Sequence, residues 1–436
     1  MQGGRQLLQR NKRRDRIRQA RSGRSRRRKG GRGQSTRGHQ ERGDQAQDRP
    51  DRQVTGSSLA SEPQATPTGP ATAPSVRQPT AQWARGPAVP VASVVFALAI
   101  GAIFVLLSGH DPIAAYIDLF RGAFGSPYDI TETLIQTIPL VLAGLAVAVA
   151  FRTGLFNIGA ESQLLIGAVA AGAVGARFAD LPGFVLFPMV LAAGIGAGAA
   201  WAAIAGYLKA ARGVNEVITT IMQNYIVVFV MHWLLQNGPM TAPNALGTPA
   251  SAPIGAGAVL PIIIPNELVP LTRLHAGIFL AIAAVVVFWF LLWRTPLGYE
   301  LRAVGLGARA AAQAGIDPRT RTVIAMAIAG GFAGLAGMIQ VTGVFHRVFD
   351  GFSSGYGFDA IAVALLGKNS PIGIALAALL FGAFARGGSI MQANAGVSAQ
   401  LVSVIEAVVL FVIAAELIVR VLTARRRERK PLEAIA

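Results

Sequence analysis

Polar side chains inside long apolar segments are the first candidates for chemistry in this sequence of 436 residues. Asn157, Glu161 and Gln163 open one such segment, shortly after Arg152. Asn157 and Glu161 lie four residues apart and therefore share one face of a helix. Charged and amide groups at membrane depth are costly unless paired, which makes them functional candidates along a solute path. The structural alternative is that Asn157 caps the helix, while Glu161 offsets Arg152 or favours the positive end of the helix dipole.

A second polar group stands at the start of another apolar segment. Glu216, Thr220, Gln223 and Asn224 recur at three- and four-residue spacing and are predicted to project from one side of a helix. Hydrogen bonding between helices would explain them. The functional interpretation is a hydroxyl- and amide-lined face toward a central pathway, because such groups can replace the water around a polar, uncharged solute.

Catalytic and metal chemistry are not expected. The sequence contains no Gly-Lys-Ser/Thr phosphate loop and no plausible Ser/His/Asp or Cys/His set. His232 and His346 each lack a second ligand at suitable spacing, so no metal site is predicted. Cysteine is absent, which excludes disulfides and thiolate metal sites within the chain. The chain is therefore predicted not to be an enzyme and to hold no cofactor.

The elements that must position these groups are apolar helices. Hydrophobic residues make up 52% of the chain and charged residues only 14%, and spans of about 20 apolar residues recur after residue 88. The predicted fold is an all-α polytopic membrane protein with about ten transmembrane segments. These are residues 89–108, 133–151, 158–175, 184–208, 217–235, 276–293, 322–343, 358–367, 372–386 and 399–422. The short eighth and ninth segments are either two crossings or a re-entrant pair broken at 368–371.

The ends of the chain differ in composition from the apolar part. Half of the 40 Lys and Arg residues fall within residues 1–86. Residues 1–87 are predicted to be a disordered basic and Ser/Pro-rich cytoplasmic arm, with binding of RNA or anionic lipid as the sharper alternative. Residues 88–424 form the transmembrane domain, and 425–436 a basic cytoplasmic tail. With the basic arm inside, an even number of crossings is predicted to place both termini in the cytoplasm. The protein is predicted to be a multi-pass protein of the cytoplasmic membrane.

A basic, Ala/Gly-rich island at 294–321 separates two apolar segments. It carries five arginines and a helix-forming stretch, so it is predicted to face the cytoplasm, because Lys and Arg in short loops stay inside. A cytoplasmic partner could therefore act on it. An ordinary basic loop is the alternative.

Five motifs resemble the permease subunits of bacterial ABC importers of the branched-chain amino acid and ribose class. They are Phe156-Asn-Ile-Gly-Ala-Glu-Ser-Gln163, Gly213-Val-Asn-Glu-Val-Ile-Thr-Thr-Ile-Met-Gln-Asn-Tyr225, Thr295-Pro-Leu-Gly-Tyr-Glu-Leu-Arg-Ala-Val-Gly305, Ala310-Ala-Ala-Gln-Ala-Gly-Ile316 and Gly357-Phe-Asp-Ala-Ile-Ala-Val-Ala-Leu-Leu-Gly-Lys-Asn369. The first two are closer to the nucleoside-uptake branch. The resemblance covers about residues 88–424, which makes this a permease domain.

The resemblance implies a set of partners. An extracytoplasmic solute-binding lipoprotein would deliver the solute, a second permease subunit would complete the path as a heterodimer, and cytoplasmic ABC ATPases would bind ATP and drive transport in a lipid membrane. Residues 297–316 would form the coupling segment, a short helix in a groove of the ATPase. Glu300 and Arg302 would make polar contacts there, and Gly298, Gly305 and Gly315 belong to the same segment, with the last two allowing turns.

The sequence also departs from the family pattern. Ser162 stands where the family has Gly, and Gly307-Ala308 replaces a common Asn-Pro pair, so the start of the cytoplasmic helix is expected to be softer. Import of branched-chain amino acids or simple sugars is the alternative within the class. An ion-coupled secondary transporter, which would prefer a membrane-embedded acid pair, and a non-transporting scaffold are alternatives from other classes.

Overall fold

The computed structural model describes residues 88–242 and 248–398, together with 401, 403, 404, 407 and 408. These residues form helices and connections, with no strand among them and two isolated bridges, Ala250 with Phe349 and Ile262 with His275. The predicted arm at 1–87, the tail at 425–436 and most of the tenth predicted segment, 399–422, lie outside the described residues.

Twelve α-helices are found in the described ranges. They are α1 (Ala88–Leu107), α2 (Pro112–Phe124), α3 (Pro127–Arg152), α4 (Ala160–Arg177), α5 (Gly183–Arg212), α6 (Glu216–Gln236), α7 (Gly277–Arg294), α8 (Pro296–Leu306), α9 (Ala308–Gln313), α10 (Pro318–Ile339), α11 (Tyr356–Leu366) and α12 (Pro371–Ala395). A π-helical turn, Gln340–Phe345, continues α10.

Five of these helices begin with the same two-residue signal. A Ser, Thr or Asp accepts a backbone hydrogen bond as the N-cap, and the following proline occupies the first helical position, where its missing N–H costs nothing. The pairs are Asp111-Pro112, Ser126-Pro127, Thr295-Pro296, Asp317-Pro318 and Ser370-Pro371.

Within the described residues, six helices are long and apolar enough to cross a membrane, namely α3, α5, α6, α7, α10 with its π-helical turn, and α12. The predicted count of about ten is therefore not confirmed. The first turn of α4 contains Glu161, Ser162 and Gln163, which lower the hydropathy of the helix. Helix α11 has 11 residues and spans about 16 Å, roughly half of an apolar bilayer core. It forms the short half of the predicted broken pair, whereas α12 has the length of a full crossing.

Two predicted connections are helical instead. Residues 112–124 form α2, which the search for long apolar runs missed because Asp118 and Arg121 interrupt its hydropathy. Helix α12 continues to Ala395, so most of the stretch between the ninth and tenth predicted segments, 387–398, is helix.

Helix α10 lies at the centre and packs against α5, α4 and α3. One close approach is at Gly334, where an added Cβ would overlap the carbonyl oxygen of Gly194 on α5. A Cβ on Gly167 of α4 would in turn overlap the backbone of Gly334. Small residues let these helices pack backbone against backbone, as is common in membranes. The bundle thereby fixes the start of α4, where the first polar group stands.

Candidate functional site

The first predicted polar group forms a closed amide pair. Asn157 Nδ2 donates to Gln163 Oε1 at 3.0 Å, and Gln163 Nε2 donates back to Asn157 Oδ1 at 2.9 Å. Asn157 Oδ1 also accepts from the backbone N–H of Gly159 at 3.0 Å. Both side chains are fully buried. The pair therefore ties the non-helical segment before α4 to the first turn of that helix.

Asn224 joins this segment to α6. Its Oδ1 accepts from the backbone N–H of Ser162 at 3.1 Å, and its Nδ2 donates to the carbonyl of Ile158 at 3.1 Å. Ser162 keeps the packing because its hydroxyl donates to the carbonyl of Gly159 at 2.8 Å. The side chain of Asn224 thus holds the entry of α4 against the neighbouring helix.

The structural alternative holds only in part. Glu161 lies in the first turn of α4, where a negative charge favours the positive end of the helix dipole, but the other two roles are not observed. The N-cap of α4 is Gly159, without a side-chain cap, because Asn157 turns to Gln163. Glu161 Oε2 accepts from the backbone N–H of Gly357 at 2.7 Å, at the start of α11, so it does not offset Arg152. Arg152 donates to the carbonyl of Asn369 instead, at 3.0 Å.

The face predicted for α6 is confirmed, since Glu216, Thr220, Gln223 and Asn224 are all buried. Glu216 forms an ion pair with Lys209 of α5 at 2.7 Å. Thr220 donates to the carbonyl of Glu216, and Gln223 Nε2 donates to the carbonyl of Trp201 on α5 at 2.8 Å. These groups engage protein atoms between α5 and α6. Their place along a solute path stays a prediction.

The island forms two short helices, α8 and α9, with the break at Gly307. Gly298 lets α8 approach the end of α7, because a Cβ there would overlap the carbonyl of Leu291. Gly315 has φ +83° and makes the predicted turn. Gly305 does not, because it lies within α8 and instead allows backbone contact with Arg152.

Two polar side chains of the island contact groups within the island itself. Glu300 Oε2 lies 2.5 Å from Arg321 Nε, which ties α8 to the first turn of α10. Arg302 donates to the carbonyl of Gly298 at 3.3 Å. Helix α9 starts at Ala308, where the family has proline, and has no side-chain cap.

Two apolar side chains of α8 are left without protein cover. Leu306 is 92% exposed and Tyr299 is 62% exposed. Asp317 closes the island, where hydrogen bonds from Thr320 and from the backbone of Arg319 lower the pKa of its carboxyl. The island therefore presents an ordered surface with apolar contacts available to a partner.

A cavity of about 580 Å³ lies between α3, α11 and α12, and Ser403 and Ala407 also line it. This volume falls within the range of about 300–1,000 Å³ typical of small-molecule sites. Its polar lining includes Gln136, Asp359, Ser389 and Gln392, and Phe358 contributes an aromatic ring that is 49% exposed. No Lys or Arg is among the described residues that line it.

The polar groups of this cavity differ from the amide pair in being available. The hydroxyl of Tyr356 donates to Gln136 Oε1, which leaves Gln136 Nε2 without a partner among the described residues. The side chains of Asp359 and Gln392 likewise have no hydrogen bond or ion pair within the described ranges. The sequence did not single out this set, because Gln136, Asp359 and Gln392 lie far apart in the chain and share no local pattern.

The fold and the site define a polytopic helical membrane protein with an ordered basic island and a cavity that carries polar side chains. Residues 130–414 match the family model described as "Branched-chain amino acid transport system / permease component". The chain belongs to this family of permease subunits, which are transport components rather than enzymes.

Characterised relatives are similar over most of the chain. The guanosine ABC transporter permease protein NupP of Bacillus subtilis is 38% identical over 78% of this chain and 97% of its own. The nucleoside ABC transporter permease protein NupB of Lactococcus lactis is 38% identical over 79% and 95%. The glucose ABC transporter permease protein TsgB13 of Haloferax volcanii is 39% identical over 75% and 87%. No solved structure gives a significant match.

Proposed function

We propose that the chain is the permease subunit of an ATP-driven importer that carries nucleosides across the cytoplasmic membrane. The observation that carries the choice of solute is the lining of the cavity. A free amino acid carries a carboxylate, which must be paired when it leaves water, and the described lining offers it no Lys or Arg. Amides, hydroxyls and an aromatic ring suit a neutral solute with hydrogen-bonding groups.

The names of two similar relatives support this choice, since both are described as carrying guanosine or nucleosides. The relative described as a glucose permease supports a second candidate, a simple sugar, which is also neutral and rich in hydroxyls. The lining argues against a branched-chain amino acid and leaves these two neutral solutes to be separated by experiment.

The predicted path residues take a supporting role in this proposal. Asn157, Gln163 and Asn224 use their amides on one another and on the backbone, and Glu161 uses its carboxylate on α11. They would hold the wall that carries the path, while the side chains of the cavity would meet the solute.

The island would transmit the work of ATP hydrolysis. Leu306 and Tyr299 would dock on a cytoplasmic ABC ATPase, and rigid-body movement of the bundle would follow from that contact. A second permease subunit would complete the path, and an extracytoplasmic solute-binding lipoprotein would deliver the solute. In this arrangement the island and both termini would face the cytoplasm.

Competition for uptake tests the choice of solute. Cells with the complete transporter are given labelled guanosine together with an excess of unlabelled uridine, glucose, ribose or leucine. The proposal predicts that uridine competes and that leucine does not. Inhibition by leucine alone would exclude a nucleoside carrier. Inhibition by glucose but not by uridine would favour a sugar carrier.

A charge exchange tests the coupling segment. Glu300→Arg breaks the pair with Arg321 and brings two arginines together, so uptake should fall as the segment loses its position. Glu300→Arg combined with Arg321→Glu restores an opposite pair and should restore uptake. Because partly exposed pairs contribute only about 0–1 kcal/mol, stability should change little in either variant. Unchanged uptake in the single variant would contradict the positioning role of this pair.

A further inference from the structure

The cavity between α3, α11 and α12 contains a carboxylate that has no partner among the described residues, beside an exposed aromatic ring. We infer that this cavity is a nucleoside-binding site in which Asp359 accepts hydrogen bonds from the vicinal hydroxyls of the ribose and Phe358 stacks on the base. The inference rests on the proposed function and assigns each side chain to the part of the solute that it contacts.

The position of the cavity along the bundle fits a binding site that the solute reaches before it passes the end of the bundle beside the island. Gln136 lies nine residues after Pro127 and sixteen before Arg152, which places it about 14 Å and about 24 Å from the two ends of α3. The Arg152 end contacts Gly305 of the island. The cavity wall at Gln136 therefore lies in the half of the bundle away from the island.

The course of α12 agrees with this placement. Arg152 donates to the carbonyl of Asn369, so the Pro371 end of α12 is level with the island. Gln392 is 21 residues further along, about 32 Å at the helical rise. The cavity thus extends from the middle of the bundle toward the end opposite the island, where a solute delivered from outside would enter.

The carboxylate of Asp359 selects the kind of group that can meet it. An ionised carboxylate only accepts hydrogen bonds, with two oxygens side by side. Two adjacent hydroxyls present two donors at matching spacing, and acidic side chains recognise ribose hydroxyls in this way in dinucleotide-binding proteins. Leaving the carboxylate half-buried without a donor would be costly, so a ligand with donors gains by entering.

The remaining side chains suit the other half of the solute. Phe358 is adjacent to Asp359 in the chain, and its half-exposed ring belongs to the same lining. Aromatic side chains stack on any base, because every base has a π-face. Gln136 and Gln392 carry both donors and acceptors, which can meet the edges of purines and pyrimidines alike. The site is therefore specific for the ribose and tolerant of different bases.

A comparison of solutes tests the assignment of Asp359. Uptake of labelled guanosine and of 2′,3′-dideoxyguanosine is measured at subsaturating concentration with the complete transporter, for the unsubstituted protein and for Asp359→Asn. The binding lipoprotein is the same in every measurement, so its own preference cancels when the two ratios are compared. A hydrogen bond to a charged group contributes about 1.5–3 kcal/mol, which predicts that the preference for guanosine falls at least tenfold in the variant.

Asp118→Asn is the matched control, because it makes the same chemical change on α2, away from the cavity. It should leave the preference for guanosine unchanged. Phe358→Ala should slow the uptake of both solutes by a similar factor, since stacking does not depend on the sugar. No uptake of any nucleoside by the unsubstituted transporter would refute the proposed function. Normal guanosine uptake by Asp359→Asn with an unchanged preference for guanosine over 2′,3′-dideoxyguanosine would refute the binding site at Asp359 and leave the proposed function standing.

A second measurement does not depend on how well Asp359→Asn folds. Because the chain has no cysteine, Gln392→Cys places a single thiol at the cavity. The complete transporter in lipid nanodiscs is treated with a charged maleimide, with and without guanosine. Guanosine should slow labelling severalfold, and 2′,3′-dideoxyguanosine should protect less. Equal labelling rates under all conditions would overturn the assignment.

Discussion

The amide pair at the start of α4 gives the most detailed prediction. Gln163→Leu keeps the size of the side chain but removes both hydrogen bonds to Asn157. Hydrogen bonds between membrane helices contribute about 0.6 kcal/mol each on average. The buried Nδ2 of Asn157 also loses its acceptor, at a cost of about 1–3 kcal/mol. The substitution should therefore destabilise the protein by about 2–4 kcal/mol.

The assay is unfolding of the purified chain in mixed micelles by increasing SDS, followed by the fluorescence of its five tryptophans. Gln236→Leu makes the same change at an exposed helix end and should leave the midpoint unaltered. In the double variant Asn157→Ala with Gln163→Leu, the loss should be at least about 1 kcal/mol smaller than the sum of the two single losses, because the two residues share their bonds.

The opposite pattern would refute this reasoning. If Gln163→Leu unfolded at the same SDS concentration as Gln236→Leu while the preference among solutes changed, the amide pair would serve the solute and would not stabilise the bundle. That outcome would favour the direct path role predicted for these residues from the sequence.

Three further predictions concern packing, coupling and pH. Gly334→Ala should cost about 1–3 kcal/mol in the same SDS titration, because its Cβ overlaps backbone of α5, whereas Gly196→Ala on the open face of α5 should gain up to about 1 kcal/mol. Leu306→Asp should weaken copurification of the ATPase at least tenfold, since an apolar side chain buried on binding contributes about 1.5–3 kcal/mol; equal copurification would show that α8 does not dock there. The lowered pKa of Asp317 stabilises the first turn of α10 above the pKa of about 3.9 in the unfolded chain, and this contribution is lost as the pH falls through the folded value. The acid-induced fall in the thermal midpoint should therefore be smaller in Asp317→Asn than in the unsubstituted protein.

Long apolar helices were predictable because hydropathy and cap–proline signals are local in sequence. Helix α5, for example, was expected at 184–208 and is found at Gly183–Arg212. Helix α2 escaped because it is short and mixes apolar residues with Asp118 and Arg121, a pattern that a search for continuous apolar runs rejects.

The partners of the polar side chains were less predictable, because they depend on which helices pack together. Spacing placed Glu161 on a helix face, but only the packing of α11 against α4 brings the backbone of Gly357 to its carboxylate. Asp359 gave no signal of its own, since its significance comes from Gln136 and Gln392, more than 200 and about 30 residues away in sequence. Gly305 was assigned to a turn, whereas its lack of a side chain permits contact with a distant backbone.

Uptake of guanosine into proteoliposomes tests the central claim most directly. The vesicles contain the complete transporter, with its binding lipoprotein outside, and are loaded either with ATP or with a nonhydrolysable analogue. An ATP-driven nucleoside permease predicts accumulation only with ATP, and no loss of accumulation when an uncoupler collapses the proton gradient. Accumulation that persists without ATP and disappears with the uncoupler would contradict the account.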